Sequence, residues 1–136
     1  MLTREQLLDH ARDRLLRESV DVPELGGEVM LWEMTGAERN GYDAALSKLG
    51  KSADLDDTWR TLLLVRAIKN EQGEPMFTTA DVGRLGEALP ARAIPRLWAI
   101  AARLSGLTIE DVEDLRKNSA SGSEGGSASG SLTVSG

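Results

Sequence analysis

The stretch "LWEMTGAERNGYD", residues 31–43, passes from a strand-like alternation straight into a helix start, and this abrupt corner constrains what the chain can fold into. Thr35 and Glu38 form a T-x-x-E capping box, in which each side chain satisfies a backbone amide that the first helical turn leaves unpaired. The helix begun there carries Tyr42, Ala45, Leu46 and Leu49 and should stop at Gly50. Upstream, "SVDVPELGGEVMLWEM" alternates apolar and polar residues around Gly26-Gly27, a pair suited to the positive φ angles of a tight hairpin turn. A β-hairpin over about residues 19–34 is expected, with Pro23 at an edge because it has no amide to give to a ladder. In its second strand Val29 and Leu31 share one face, while Met30, Trp32 and Met34 share the other. An isolated hairpin is marginal in water, so helices must cover at least one of these apolar faces. The other is either covered too or meets a partner.

The remaining elements follow from helical spacing and caps. Thr3 with Gln6 opens a helix expected over Thr3 to Arg17, with Leu7, Leu8, Ala11 and Leu15 on one stripe. Asp54 is read as the cap of a helix from Leu55 to Lys69, whose Trp59, Leu62, Leu63, Val65 and Ile68 leave few polar sides and place it at the centre of the core. A turn at Gly73 and an extended Pro75-Met76-Phe77 lead to a cap at Thr78 or Thr79 and a short helix over Val82 and Leu85. Pro90 or Pro95 fits the first turn of a helix bearing Leu97, Trp98, Ala101 and Leu104, which Gly106 closes. Thr108 with Asp111 opens a final acidic turn or two through Val112 and Leu115. After Asn118 the stretch "SASGSEGGSASGSLTVSG" has no apolar period to repay the entropy of ordering. The expectation is a mainly α (α+β) fold, a bundle of about five to six helices with a small N-terminal hairpin. Residues 1–118 form its one domain and 119–136 a disordered Ser/Gly-rich tail.

Composition removes several classes of function. The chain has no cysteine, which excludes disulfides and thiolate sites. Its longest apolar run, Leu62 to Val65, is far too short to span a bilayer, and the N-terminus lacks a signal-peptide core, so a soluble protein is expected. A net charge of -6 argues against wrapping phosphate backbones, leaving neither nucleic acid nor membrane as partner. The single histidine, His10, has Asp9 and Asp13 beside it but too few further ligands for a metal, and a solvated helix face explains the three better. Asp54, Asp56 and Asp57 resemble the opening of a calcium loop, yet Trp59 stands where its glycine belongs and Val65 where its glutamate belongs. "GRLGEAL" lacks the lysine and preceding strand of a phosphate loop. No catalytic, cofactor or metal residues are assigned, and the chain is not expected to be an enzyme. The distinctive residues left are apolar. Trp59 and Trp98 read as core, whereas Met30, Trp32 and Met34 with neighbouring Tyr42 are the candidate protein-binding surface. Methionine repacks readily and tryptophan supplies contact area, although Trp32 reads equally well as core.

The order of parts resembles the tail assembly chaperones of long-tailed, siphovirus-type bacteriophages. The resemblance covers roughly residues 18–118 and rests on the strand running into "MTGAER", then "EQGEPMFTTADVGRLGE", then "LSGLTIEDVE". It implies a non-enzymatic factor that binds and solubilises the tape measure protein and helps recruit the major tail (tube) protein. It also implies residence in the cytoplasm of the infected or lysogenic bacterial host, absence from the mature virion, and in many members a longer form made by translational frameshifting whose added domain recruits tube subunits. A homo-oligomer is compatible with this. Arg116-Lys117-Asn118 can be encoded by a slippery A-AAA-AAC, and is equally explained as cations at a helix C-terminus. The alternative class is a small structural tail or head-tail connector protein of the virion. An acidic inhibitor of a basic host enzyme ranks behind both.

Overall fold

A computed structural model describes residues 1–50 and 57–121, with side chains described through Lys117. The elements in chain order are α1 (Arg4–Asp9), β1 (Arg17–Val22), β2 (Gly27–Trp32), α2 (Gly36–Leu49), α3 (Thr58–Ala67), β3 (Ile68–Lys69), α4 (Val82–Ala88), α5 (Ala93–Leu104) and α6 (Ile109–Ser121). Short 3-10 turns lie at Arg12–Arg14, Pro23–Leu25 and Thr79–Asp81. The architecture is the mainly helical α+β bundle with an N-terminal hairpin that the sequence implies.

The hairpin is part of a three-stranded antiparallel sheet in the order β1-β2-β3. β1 pairs from Arg17 opposite Trp32 to Val22 opposite Gly27. The turn is longer than a glycine pair: Pro23–Leu25 wind one 3-10 turn, Gly26 takes φ 73°, and Gly27 already belongs to β2. Pro23 follows the edge strand, where its missing amide costs no ladder bond.

Helix α3 is enclosed by α2, α4 and α5, and Trp59 and Thr61 through Val65 are all buried along it. Trp59 meets Trp98 of α5 edge to face, with centroids 5.1 Å apart and planes at 72°. Tyr42 of α2 donates its hydroxyl proton to Trp59 O at 2.8 Å and accepts from Trp98 Nε1 at 3.3 Å. Burial pushes this phenol up to about 12, so it stays a neutral donor. α6 packs along α2, and buried Arg116 donates from Nε to Gly50 O at 3.1 Å.

Four local readings differ from the observed structure. The first helix ends at Asp9, not Arg17, because residue 16 is drawn into the sheet. Leu16 N donates to Glu33 Oε1 at 2.9 Å and Glu33 N to Leu16 O at 2.7 Å. A short helix with no core beneath it cannot compete with that pairing. The central helix starts at Thr58 and ends at Ala67, and Ile68–Lys69 pair instead with Leu31 and Met30. Its cap is Asp57; the Asp54 reading lies outside the described residues. The last helix runs well beyond Leu115, to Ser121, so the first residues of the Ser/Gly segment continue it, while the tail expected beyond them lies outside the described residues.

The hairpin turn is pinned to α5 by one ion cluster. Glu24, with its side chain almost fully covered, accepts from Arg96 Nη1 at 2.9 Å and Nη2 at 3.0 Å, with Arg92 Nε 3.4 Å away. These bonds, with its own backbone amide, hold the carboxyl at about 2 against an ordinary 4.5. A depressed carboxylate stabilises the fold fully above the unfolded value and loses that contribution as pH falls through the folded one. Urea midpoints of the unaltered chain and of Glu24→Gln should therefore differ most above pH 4.5 and converge towards pH 2. A gap that does not change with pH would show that the cluster carries no such linkage.

Candidate functional site

The four residues singled out as a binding surface do not share one environment. Tyr42 and Met34 belong to the main core. Met34 leaves the strand face because β2 ends at Trp32, and the corner then turns its amide onto Ser105 Oγ at the end of α5, 2.9 Å away. Trp32 is buried, yet outside that core cluster. Met30, half-buried, is the one of the four that reaches solvent.

Trp32 lies in a compartment of its own on the far side of the sheet. Arg17 Cζ stands 4.7 Å over its ring. Gly73 closes a second side with φ 82°, and a β-carbon there would lie 3.1 Å from Trp32 Cη2 and 3.3 Å from Arg12 Cδ. Among the described residues Trp32 Nε1 is buried with no acceptor, a state that costs about 1–3 kcal/mol. Next to Gly73, a hollow of about 350 Å³ separates Leu8, Ala11 and Leu15 of the N-terminal segment from Pro75 and Lys69. Lys69 is itself buried and paired with Glu38 at 2.9 Å. The N-terminal segment brings Arg12 close to Gly73 and buries no residue of its own helical turns. On its stripe Leu7 is 56% and Leu8 64% exposed.

A second apolar feature lies on the other side of β2. Leu25, Val29, Phe77, Leu85 and Leu89 line a groove of about 550 Å³ between the hairpin, the segment after Gly73 and α4. Leu25 at 55% and Met76 at 59% exposure form its lips. Two charged residues border it, Asp81 and Arg84. Asp81 Oδ2 accepts from Thr78 N at 2.9 Å in the capping box of the Thr79–Asp81 3-10 turn, whereas the Arg84 side chain is 86% exposed and 3.9 Å from Asp81 Oδ1. Sequence reasoning missed this groove. Its signal was Met76-Phe77, two large apolar residues stranded between Pro75 and a helix cap.

No group of three or more His, Asp or Glu among the described residues is placed to hold a metal ion. His10 and Asp13 border an open hollow lined otherwise by Leu2, Leu7 and Leu15. Asp57 caps α3 and pairs with Arg60; Asp54 and Asp56 lie outside the described residues. No helix among the described residues is long and apolar enough to cross a membrane.

Replacing Gly73 by alanine should strain the backbone and press on a ring already held by Arg17, costing about 1–3 kcal/mol. Gly83→Ala, in α4 with no atom near the added carbon, should be neutral or stabilising by up to about 1 kcal/mol. Chemical denaturation of the pair measures both, and equal effects would disprove the closure of Trp32 by Gly73.

No protein-family model matches the chain, and no curated protein matches it in sequence. Among solved structures, its fold is similar to that of the bacteriophage HK97 tail assembly chaperone, with a TM-score of 0.55, covering 74% of this chain and 94% of that one. At 20% identity the likeness is one of fold alone.

Proposed function

We propose that the chain is a phage tail assembly chaperone, which binds the tape measure protein, keeps it soluble and helps bring major tail tube subunits to it in the bacterial cytoplasm. The observation that carries this reading is the fold likeness to the HK97 chaperone over most of both chains. Chemistry agrees with it. A tape measure protein is a long helical client with apolar stripes, and this chain pairs solvent-facing leucines and an apolar groove with a net charge of -6 that opposes self-aggregation.

Client contact through Met30 and Trp32 is part of the same reading. Met34 and Tyr42 sit behind them and fix the strand and corner in place, and access to Trp32 requires the N-terminal segment to lift. A longer frameshifted form, joined through the Ser/Gly-rich segment, would add the domain that recruits tube subunits. Self-association into a homo-oligomer fits the outward leucines.

Co-expression with the tape measure protein of the same genome should give a soluble complex, where the tape measure protein alone is insoluble. Intact-mass analysis of the gene with its downstream DNA should show a minor longer product sharing this N-terminus. A soluble, folded Met30→Ala/Trp32→Ala variant should capture less client, and unchanged capture removes the strand from the binding site. Recovery of the chain in stoichiometric amounts from purified virions would replace the chaperone reading by that of a structural tail or connector protein.

A further inference from the structure

The groove beside β2 is concave, is built by the hairpin, the segment after Gly73 and α4, and is bordered by one weakly paired cation, Arg84. Its floor is Val29, Phe77, Leu85 and Leu89, held by the sheet and α4, while Leu25 and Met76 stand up on opposite lips. A preformed apolar trough with a methionine lip suits the apolar stripe of a helix, whose i, i+3, i+4 and i+7 side chains enter as a row. The charge at the border selects among such helices. Asp81 is engaged in the capping box of the Thr79–Asp81 turn, and Arg84 projects into solvent with a 3.9 Å contact to it. The chain as a whole carries -6, and on this rim the exposed, weakly paired Arg84 is the cation that a carboxylate at the edge of a bound helix can meet.

We infer that this groove is a docking site for one amphipathic client helix, its leucine-type stripe on Phe77 and Met76 and a glutamate or aspartate at its edge on Arg84. The inference rests on the chaperone reading and adds to it a location separate from the Trp32 face and a chemical description of the bound segment. It also gives the acidic surface a role, since non-selective apolar stickiness would not discriminate between helices of opposite edge charge.

The test uses the full chain and two synthetic helical peptides of about 18 residues, identical in their leucine stripe and edged by glutamate in one and lysine in the other. By calorimetry the glutamate peptide should bind more tightly than its lysine twin, with the difference shrinking as salt rises. Arg84→Glu should weaken the glutamate peptide by about fivefold and strengthen the lysine twin. Met76→Asp, at an exposed lip where folding is not at stake, should weaken both by about tenfold or more. NMR shifts on the glutamate peptide's binding should centre on Met76, Phe77 and Leu85. Equal affinity for the twins, or shifts centred on Leu7 and Leu8, would overturn the inference. So would self-association of the unaltered chain that Met76→Asp abolishes, because the groove would then be filled by a second copy. The two readings fail separately. A Met76→Asp variant that still keeps the tape measure protein soluble removes the groove and spares the chaperone, whereas an unaltered chain that cannot do so removes the chaperone reading itself.

Discussion

One phenolic oxygen sets the geometry on which the rest depends. Tyr42 reaches from α2 into the centre of the bundle, donates to the carbonyl of Trp59 on α3 and accepts from the indole of Trp98 on α5. Three helices are thereby fixed at one point in a mainly apolar interior, and both members of the Trp59–Trp98 pair are engaged at the same time. In such surroundings a hydroxyl with both its donor and an acceptor site used specifies position, where leucine packing alone tolerates sliding. The sheet is joined to this frame by the corner leading into α2, by β3 running on from α3, and by the Glu24–Arg96 and Glu18–Arg103 bonds to α5.

The two faces of that small sheet are treated differently. The Val29 and Leu31 face meets the helical core and opens at one end into the groove. The Trp32 face is closed by parts that contribute little packing of their own: a guanidinium over the ring, a glycine against its edge and an N-terminal segment whose Arg12 lies beside that glycine. A segment that buries none of its helical residues opens at small cost in free energy. Stability is thus concentrated in α3 and its neighbours, and the apolar surfaces suited to a client lie where the chain is least committed.

What could be read from the sequence was what is decided within a few residues. The boxes at Thr3, Thr35 and Thr108 and the cap at Thr78 all appear where spacing placed them, because each is closed by a side chain three residues away. The end of the first helix was not legible, since Glu33, a distant residue, decides it by capturing Leu16. Nor was β3, two residues that helical periodicity assigns to α3 and that pairing with Met30 and Leu31 takes away. The candidate surface shows the same limit. Alternation groups Met30, Trp32 and Met34, but it holds only while the strand lasts, and the strand ends at Trp32. Tyr42 was legible as an apolar helix position and not as the hydroxyl that joins three helices, since both its partners lie on other elements.

The corner between β2 and α2 has a consequence for how such a chain can vary. Three successive amides are tied in three directions: Glu33 N to Leu16 O, Met34 N to Ser105 Oγ and Thr35 N to Glu38 Oε1. Adding or removing one residue there would rotate α2 by about 100° relative to the strand and swing Tyr42 away from both of its partners. Insertions and deletions between relatives should therefore be absent from residues 33–42. Length, more than side-chain identity, is what a lineage carrying this corner has to keep.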